Sequence, residues 1–204
     1  MAITTYSELK TAVSNWLARS DLTDRIPEFI ALAEARMSRA LETRTQEKRA
    51  TSTLTVGDAY VLLPSDLRSV RSVKLQTSPV EVLDYLSPEA IDSNYPTTGN
   101  GMPRAYTVIG GEIKFAPAPD DDYTVEITYL TGVPALSDAA PTNTLLTRYP
   151  DAYLYGALAS AAVYLMDDPR VPQFEQLWTR ALTEISTSED AAKFGGTSLV
   201  MRLA

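Results

Sequence analysis

The sequence predicts an α+β protein: the two chain ends form an antiparallel four-helix body, an antiparallel β-rich lobe is inserted between them, and an extended C-terminal tail follows. Apolar residues recur at helical spacing in residues 5–43 and 151–185, and they alternate as in strands between these regions. Two glycines and an apolar run follow the last helical pattern. The predicted boundaries are 1–45 and 142–192 for the helical bundle, 46–141 for the β-rich lobe and 193–204 for the extended C-terminal arm.

The first helical pair begins at a capping-box pattern formed by Thr5 and Glu8. Its first helix is predicted over residues 5–19, with a buried face of Tyr6, Leu9, Val13, Trp16 and Leu17. A turn at residues 20–24 leads to a second amphipathic helix that ends near Thr43. Because the link is short, the two helices are predicted to be antiparallel neighbours.

The lobe is predicted to begin with short strands and one short helix. Alternating apolar residues and turn signals predict the strands Ala50–Val56, Tyr60–Leu63, Val70–Leu75 and Val80–Leu83. Pro88, at a position typical of a first helical turn, predicts one or two turns over residues 88–94.

A tight hairpin is the clearest β signal in the lobe. Gly110 and Gly111 join two alternating segments and can supply the positive φ of a primed turn. Residues 123–130 alternate again, and one face carries Tyr123, Val125, Ile127 and Tyr129. We predict that the hairpin and this strand form a three-stranded antiparallel meander with one buried face.

Helical spacing returns after Pro141. A helix from about Asp151 to Asp167 carries an alanine-rich apolar stripe, which allows neighbouring helices to approach closely. Asp168 and Pro169 end this helix. The final helix carries the apolar residues Phe174, Leu177, Trp178, Ala181, Leu182 and Ile185.

The composition excludes several classes of enzyme. The chain has no histidine and no cysteine, which excludes Ser–His and Cys–His catalytic pairs, His- or Cys-ligated metals and disulfides. Only carboxylate, lysine or tyrosine chemistry remains, so we predict no enzymatic activity, no cofactor and no metal. The lack of cysteine also fits synthesis in a reducing cytoplasm.

The charge balance disfavours a DNA-binding surface. The 18 basic and 26 acidic residues give a net charge of −8, whereas gripping phosphates requires clustered Lys and Arg. The one local basic excess, between Arg36 and Arg49, is interpreted as a solvated helix face with its C-terminal turn. An acidic partner surface is the alternative. No signal peptide and no membrane-spanning stretch are expected.

Asp120, Asp121 and Asp122 form the densest carboxylate cluster. Such oxygens can bind a hard cation, but the cluster lies between two predicted strands, where Asp is common in turns. We therefore interpret it as a turn. Gly110-Gly111 lacks the lysine and the following helix of a phosphate-binding loop. A hydrolase that uses paired carboxylates remains an alternative.

Four aromatic residues are candidates for a subunit interface, where Tyr and Trp are enriched: Tyr149, Tyr153, Tyr155 and Trp178. The alternative is that the tyrosines lie at the edge of the core and their hydroxyls reach water.

Seven sequence segments follow one another in order over nearly the whole chain: Thr5–Lys10, Trp16–Leu22, Ile26–Arg39, Leu63–Leu67, Gly101–Val108, Tyr123–Tyr129 and Tyr149–Tyr155. Each segment alone is weakly specific, and their succession is specific. Together they resemble the adaptor, or head-to-tail connector, proteins of tailed bacteriophages.

This resemblance implies a structural virion protein at the phage neck. It implies a homo-oligomeric ring, usually of twelve copies, that lies beneath the portal, joins the capsid to the tail and lets DNA pass without specific binding. The partners would be the portal protein above and a tail or neck protein below. The arm would reach the portal through Phe194, Leu199, Val200, Met201 and Leu203. Another neck or tail-completion protein, or a monomeric binding module, remains an alternative.

Overall fold

The computed structural model describes residues 2–19, 21–96, 99–165 and 169–194. These residues combine helices with two sheets, which confirms the predicted α+β class. They fall into two compact units, one within residues 1–45 and 133–204 and the other within residues 46–132. We call the first the helical unit and the second the lobe.

In chain order, the helices are α1 Tyr6–Leu17, α2 Ile26–Ala40, α3 Pro88–Asn94, α4 Thr144–Arg148, α5 Pro150–Tyr164 and α6 Val171–Phe194. All except α3 belong to the helical unit, and α4 was not predicted. The capping box of α1 forms as predicted: the Thr5 hydroxyl accepts from the Glu8 N–H at 3.3 Å, and the Glu8 carboxylate accepts from the Thr5 N–H at 3.0 Å.

Helix α5 lies at the centre of the helical unit, in contact with α1, α2, α4 and α6. The sequence predicts one apolar stripe on this helix, but Ala152, Gly156 and Ala159 are buried as well. Since these residues have little or no side chain, helices can approach α5 from several directions. The other helices instead bury one face each against this shared core.

Residues 133–141 belong to the helical unit, although the sequence assigns them to the lobe. The Val133 N–H donates to Ser38 Oγ at 2.9 Å, and the Leu136 N–H donates to Glu34 Oε1 at 2.8 Å. The carbonyl oxygen of Pro141 accepts from the Tyr6 N–H at 2.7 Å. These hydrogen bonds attach the segment to α1 and α2.

The described residues of the lobe form eight strands: β1 Glu47–Leu54, β2 Tyr60–Leu62, β3 Leu67–Leu75, β4 Glu81–Val82, β5 Asp84–Tyr85, β6 Ala105–Ile109, β7 Glu112–Ala116 and β8 Tyr123–Thr131. They form two four-stranded sheets, in the orders β1-β8-β3-β4 and β2-β7-β6-β5. Both sheets contribute to one apolar core, which includes Leu54, Val73, Ile113, Phe115, Val125 and Ile127.

The predicted meander is wrong in its third strand. The hairpin of β6 and β7 forms, with Gly110 at a φ of 60°, but β8 pairs with β1 and β3 in the other sheet. Pro117 and Pro119 lack the N–H that would continue the hairpin ladder. The lobe is also not purely antiparallel, because β5 and β6 pair in parallel; the chain segment that connects them contains α3.

Candidate interaction sites

Of the four aromatic residues predicted at an interface, Tyr153 and Trp178 lie in the core of the helical unit. The two residues are 0% and 5% exposed, so neither offers surface to a neighbouring subunit. Tyr149 and Tyr155 are half-buried at the edge of the same core. The Tyr155 ring meets the Trp16 ring edge-on, with centroids 6.1 Å apart. The interface hypothesis therefore applies only to Tyr149 and Tyr155.

The Tyr153 hydroxyl belongs to a buried polar network. It accepts from Asn143 Nδ2 at 2.6 Å and hydrogen-bonds to the Glu34 carboxylate. Burial raises the pKa of Glu34 from 4.5 to about 7, although the hydrogen bonds from Leu136 and Tyr153 oppose this rise. Because Glu34 is 6% exposed, its proton affinity is coupled to the folding of α2, α5 and residues 133–143.

Trp178 of α6 packs where α2, α5 and α6 meet. The Arg36 guanidinium lies over the indole at 4.1 Å and forms two 2.9 Å hydrogen bonds with the Glu175 carboxylate. A Cβ atom at Gly156 would lie 2.7 Å from Trp178 Nε1 and 3.0 Å from Ala33 Cβ. Only a residue without a side chain allows this packing.

Near its C-terminal end, α6 carries a buried acid, Glu189, which is 3% exposed. One carboxylate oxygen accepts from the backbone N–H of Arg44 at 2.9 Å, and the other lies 4.0 Å from the Arg148 guanidinium. Burial acts to raise the pKa of Glu189, but the Arg44 hydrogen bonds and the two positive charges outweigh it, so the pKa is lowered. The sequence did not indicate that Arg44 and Glu189 form a pair, because 145 positions separate them.

The basic excess between Arg36 of α2 and Arg49 of β1 forms ion pairs within the subunit. Besides the Arg36 and Arg44 pairs, Lys48 Nζ lies 2.7 Å from Asp66 Oδ2, and an Arg49 nitrogen lies 3.6 Å from Glu126 Oε2. The predicted alternatives were a solvated helix face with its C-terminal turn and a surface for an acidic partner. Pairing of these charges within the subunit disfavours the second.

The cluster Asp120–Asp122 closes a loop between β7 and β8. Asp120 Oδ1 accepts from the Tyr123 hydroxyl at 2.8 Å, and Asp122 Oδ1 accepts from the Val56 N–H at 3.1 Å. Among the described residues, no group of three or more acidic side chains is arranged to hold a metal ion. The interpretation as a turn is supported. Asp167 and Asp168 lie outside the described residues.

The arm predicted to bind the portal lies largely outside the described residues, including Leu199, Val200, Met201 and Leu203. The structure extends α6 through Lys193 to Phe194, so the helix ends two residues later than predicted. None of the described helices combines the length and hydrophobicity that crossing a bilayer needs.

The helical unit exposes several large apolar and aromatic side chains. Trp16, predicted on the buried face of α1, is 48% exposed, and Leu177 of α6 is 39% exposed. Three more are also exposed: Leu32, Val163 and Tyr164. Leu32 lies off the apolar stripe of α2, so helical periodicity could have identified it as exposed. The exposure of the other residues depends on how the helices of the unit pack together.

A family comparison decides the identity of the chain. The model of the SU10 adaptor protein family matches residues 4–202. The chain belongs to this family. It is a phage head–tail adaptor family, so the predicted resemblance is confirmed and the chain is a phage structural adaptor protein. A comparison with curated proteins finds no match to the chain.

Proposed function

We propose that this SU10 adaptor protein forms a ring of twelve copies beneath the phage portal, joins the capsid to the tail and lets DNA pass through the ring. The observation that carries the proposal is the family match over residues 4–202, which covers both the helical unit and the lobe. The portal protein above and a tail or neck protein below are the proposed partners, and the virion neck is the proposed location.

The charge of the chain supports a conduit for DNA. A net charge of −8 per subunit multiplies in a ring and repels the phosphate backbone instead of holding it. The basic residues from α2 to β1 support the same function, because Arg36 near the end of α2, Arg44 and Lys48 are paired with acids of their own subunit. Weak attachment to DNA suits a channel through which a genome must slide.

The helical unit supplies apolar surface for ring contacts. Trp16, Leu32, Val163, Tyr164 and Leu177 are between 39% and 62% exposed, and large exposed apolar side chains are typical of protein–protein interfaces when they are contiguous. We propose that Trp16 and Tyr155, which touch each other, contribute to this contact, together with Tyr149.

The arm is proposed to bind the portal. Its segment Thr197–Leu203 is rich in apolar and β-branched residues, and such a segment can add a strand to an exposed sheet edge or fill a groove. The proposed contacts are Phe194, Leu199, Val200, Met201 and Leu203. The proposal predicts that deleting residues 195–204, which leaves α6 whole, abolishes portal binding but leaves the unfolding temperature unchanged.

The direct test is an image of the full chain mixed with the portal protein of the same phage. A twelve-fold ring on one face of the portal supports the proposal. Density at the far end of the neck with a different copy number would instead favour another neck or tail-completion protein. A chain that stays monomeric with the portal would favour a binding module, and loss of a hydrolytic activity on Asp120–Asp122 substitution would favour an enzyme.

A further inference from the structure

One edge of the lobe is only partly paired. Strand β3 spans Leu67–Leu75, and β4 pairs with it only at Lys74 and Leu75. The Leu67 end of this edge therefore extends beyond β4.

A cleft of about 470 Å³ lies beside that end of β3. We call it the basic cleft; it is lined by Arg68, Arg71, Tyr85 and Tyr106 with Val70 and Val108. Tyr85 is 59% exposed, and its ring meets the buried Tyr106 ring edge-on with centroids 5.6 Å apart. The Arg71 side chain lies 3.8 Å from Glu47 of the same lobe and is still 41% exposed. The cleft thus offers guanidinium groups beside an exposed aromatic ring.

The opposite end of the same sheet is acidic. We call Asp120–Asp122 the acidic tip. Each of these residues is exposed and has one carboxylate oxygen that accepts a hydrogen bond within the lobe, from Tyr123, Asp122 and Val56 respectively. A carboxylate accepts up to about four hydrogen bonds, so each one keeps capacity for a bidentate arginine.

Strand β8 separates the two features. It starts at Tyr123, directly after the acidic tip, and its far end pairs with β3 at Leu67 and Ser69, beside the basic cleft. Strand geometry places the tip and the cleft roughly 25 Å apart. Opposite charges at opposite ends of one body allow head-to-tail association, which closes into a ring when the rotation between copies permits it.

We propose that the basic cleft of one subunit receives the acidic tip of a second copy, so that the lobes form a head-to-tail contact around the ring. The occupant is a second copy because the tip supplies three exposed carboxylates directly before β8, complementary in charge to the cationic cleft. This contact rests on the proposed ring and adds to it a specific pairing of Arg68 and Arg71 with Asp120 and Asp121.

The test uses charge reversal in the full-length chain, assembled with its portal and followed by native mass spectrometry. Arg68→Glu with Arg71→Glu, and separately Asp120→Lys with Asp121→Lys, are each expected to raise the concentration for half-assembly about a hundredfold or more, because like charges then meet. The four substitutions together restore the complementary charges and should return assembly to within about tenfold of the wild type. Glu81→Lys with Glu112→Lys changes the net charge by the same amount and sign as the acidic-tip variant, on exposed strands outside both features, and should assemble normally.

Circular dichroism and unfolding temperature establish that each variant is folded. If both double variants assemble as the wild type does, the lobe contact is overturned while the ring stands. If each weakens assembly but the combined variant does not recover, the pairing of cleft with tip is overturned. A wild-type chain that stays monomeric with its portal overturns the ring and the contact together.

Discussion

The contact between Gly156 and Trp178 gives the sharpest prediction for the helical unit. Substitution Gly156→Ala places a methyl group 2.7 Å from Trp178 Nε1, 3.1 Å from Trp178 Cδ1 and 3.0 Å from Ala33 Cβ. The indole is rigid and buried, and the Ala33 methyl group is fixed to the backbone of α2, so neither neighbour can make room without repacking of the core. The three helices must therefore separate, or the indole must leave its position under Arg36.

Two opposing effects determine the magnitude. Alanine is more favourable than glycine inside a helix by about 1 kcal/mol, whereas an extra carbon in a well-packed core costs about 1–3 kcal/mol. With three contacts at or below about 3 Å, we take the upper half of that range. Gly156→Ala is therefore expected to lower the free energy of unfolding by about 1–2 kcal/mol.

Urea denaturation followed by far-UV circular dichroism measures this change, and a double-mutant cycle identifies its cause. Trp178→Phe removes Nε1, the atom nearest to the added methyl group, so Gly156→Ala should cost about 1 kcal/mol less in that background. A Gly156→Ala variant more stable than the wild type would refute the reasoning. Equal costs in the two backgrounds would show that the indole is not the obstacle.

The remaining predictions concern charged groups of the helical unit and use the same denaturation assay. Burial raises the folded-state pKa of Glu34 from 4.5 to about 7, so the free energy of unfolding falls as pH rises through that interval. Glu34→Gln should reduce this fall by about 1–3 kcal/mol. An unchanged pH dependence in the variant would contradict this assignment. Glu189 has the opposite sign: its pKa is lowered, so Glu189→Gln should cost about 1–3 kcal/mol at neutral pH and less as the medium is acidified through the pKa of the carboxyl. Arg36→Lys loses the bidentate pair and the indole contact and should cost about 1–2 kcal/mol, whereas Arg25→Lys, in an exposed pair, should stay within about 0.5 kcal/mol. Equal costs for these two arginines would contradict the packing described around Trp178.

The helices were predictable because their signals are local. The Thr5–Glu8 capping box and the apolar periodicity of α1 and α2 depend on residues within a few positions of each other. For α5 the same method predicted burial on one face only. Small residues such as Gly156 give no apolar signal, and their burial follows from the helices that surround them.

Strand pairing was less predictable, because alternation identifies a strand and its buried face but not its partner. The inward residues Val125 and Ile127 of β8 are buried as predicted. Its partners β1 and β3 begin 76 and 56 positions earlier in the chain than β8, by the starts Glu47, Leu67 and Tyr123. Because β8 follows the hairpin of β6 and β7 in the chain, the sequence suggested that the three strands form a meander. The two prolines after β7 prevent that pairing.

The candidate interface residues show a similar limit. Tyrosine and tryptophan are common both in cores and at interfaces, and composition alone does not separate the two. Tyr153 is a core residue because Asn143 and Glu34 satisfy its hydroxyl inside the unit. Trp178 is buried because Gly156 leaves room for its indole.

The copy number in the assembled neck tests the proposed function most directly. The mass of the complex formed by the full-length chain and its portal protein, measured by native mass spectrometry, gives the number of adaptor subunits per portal. The ring proposal predicts twelve adaptor subunits, bound as one cooperative assembly, with no partially filled portals at saturation. A single bound copy, a variable number of copies or no binding would contradict it.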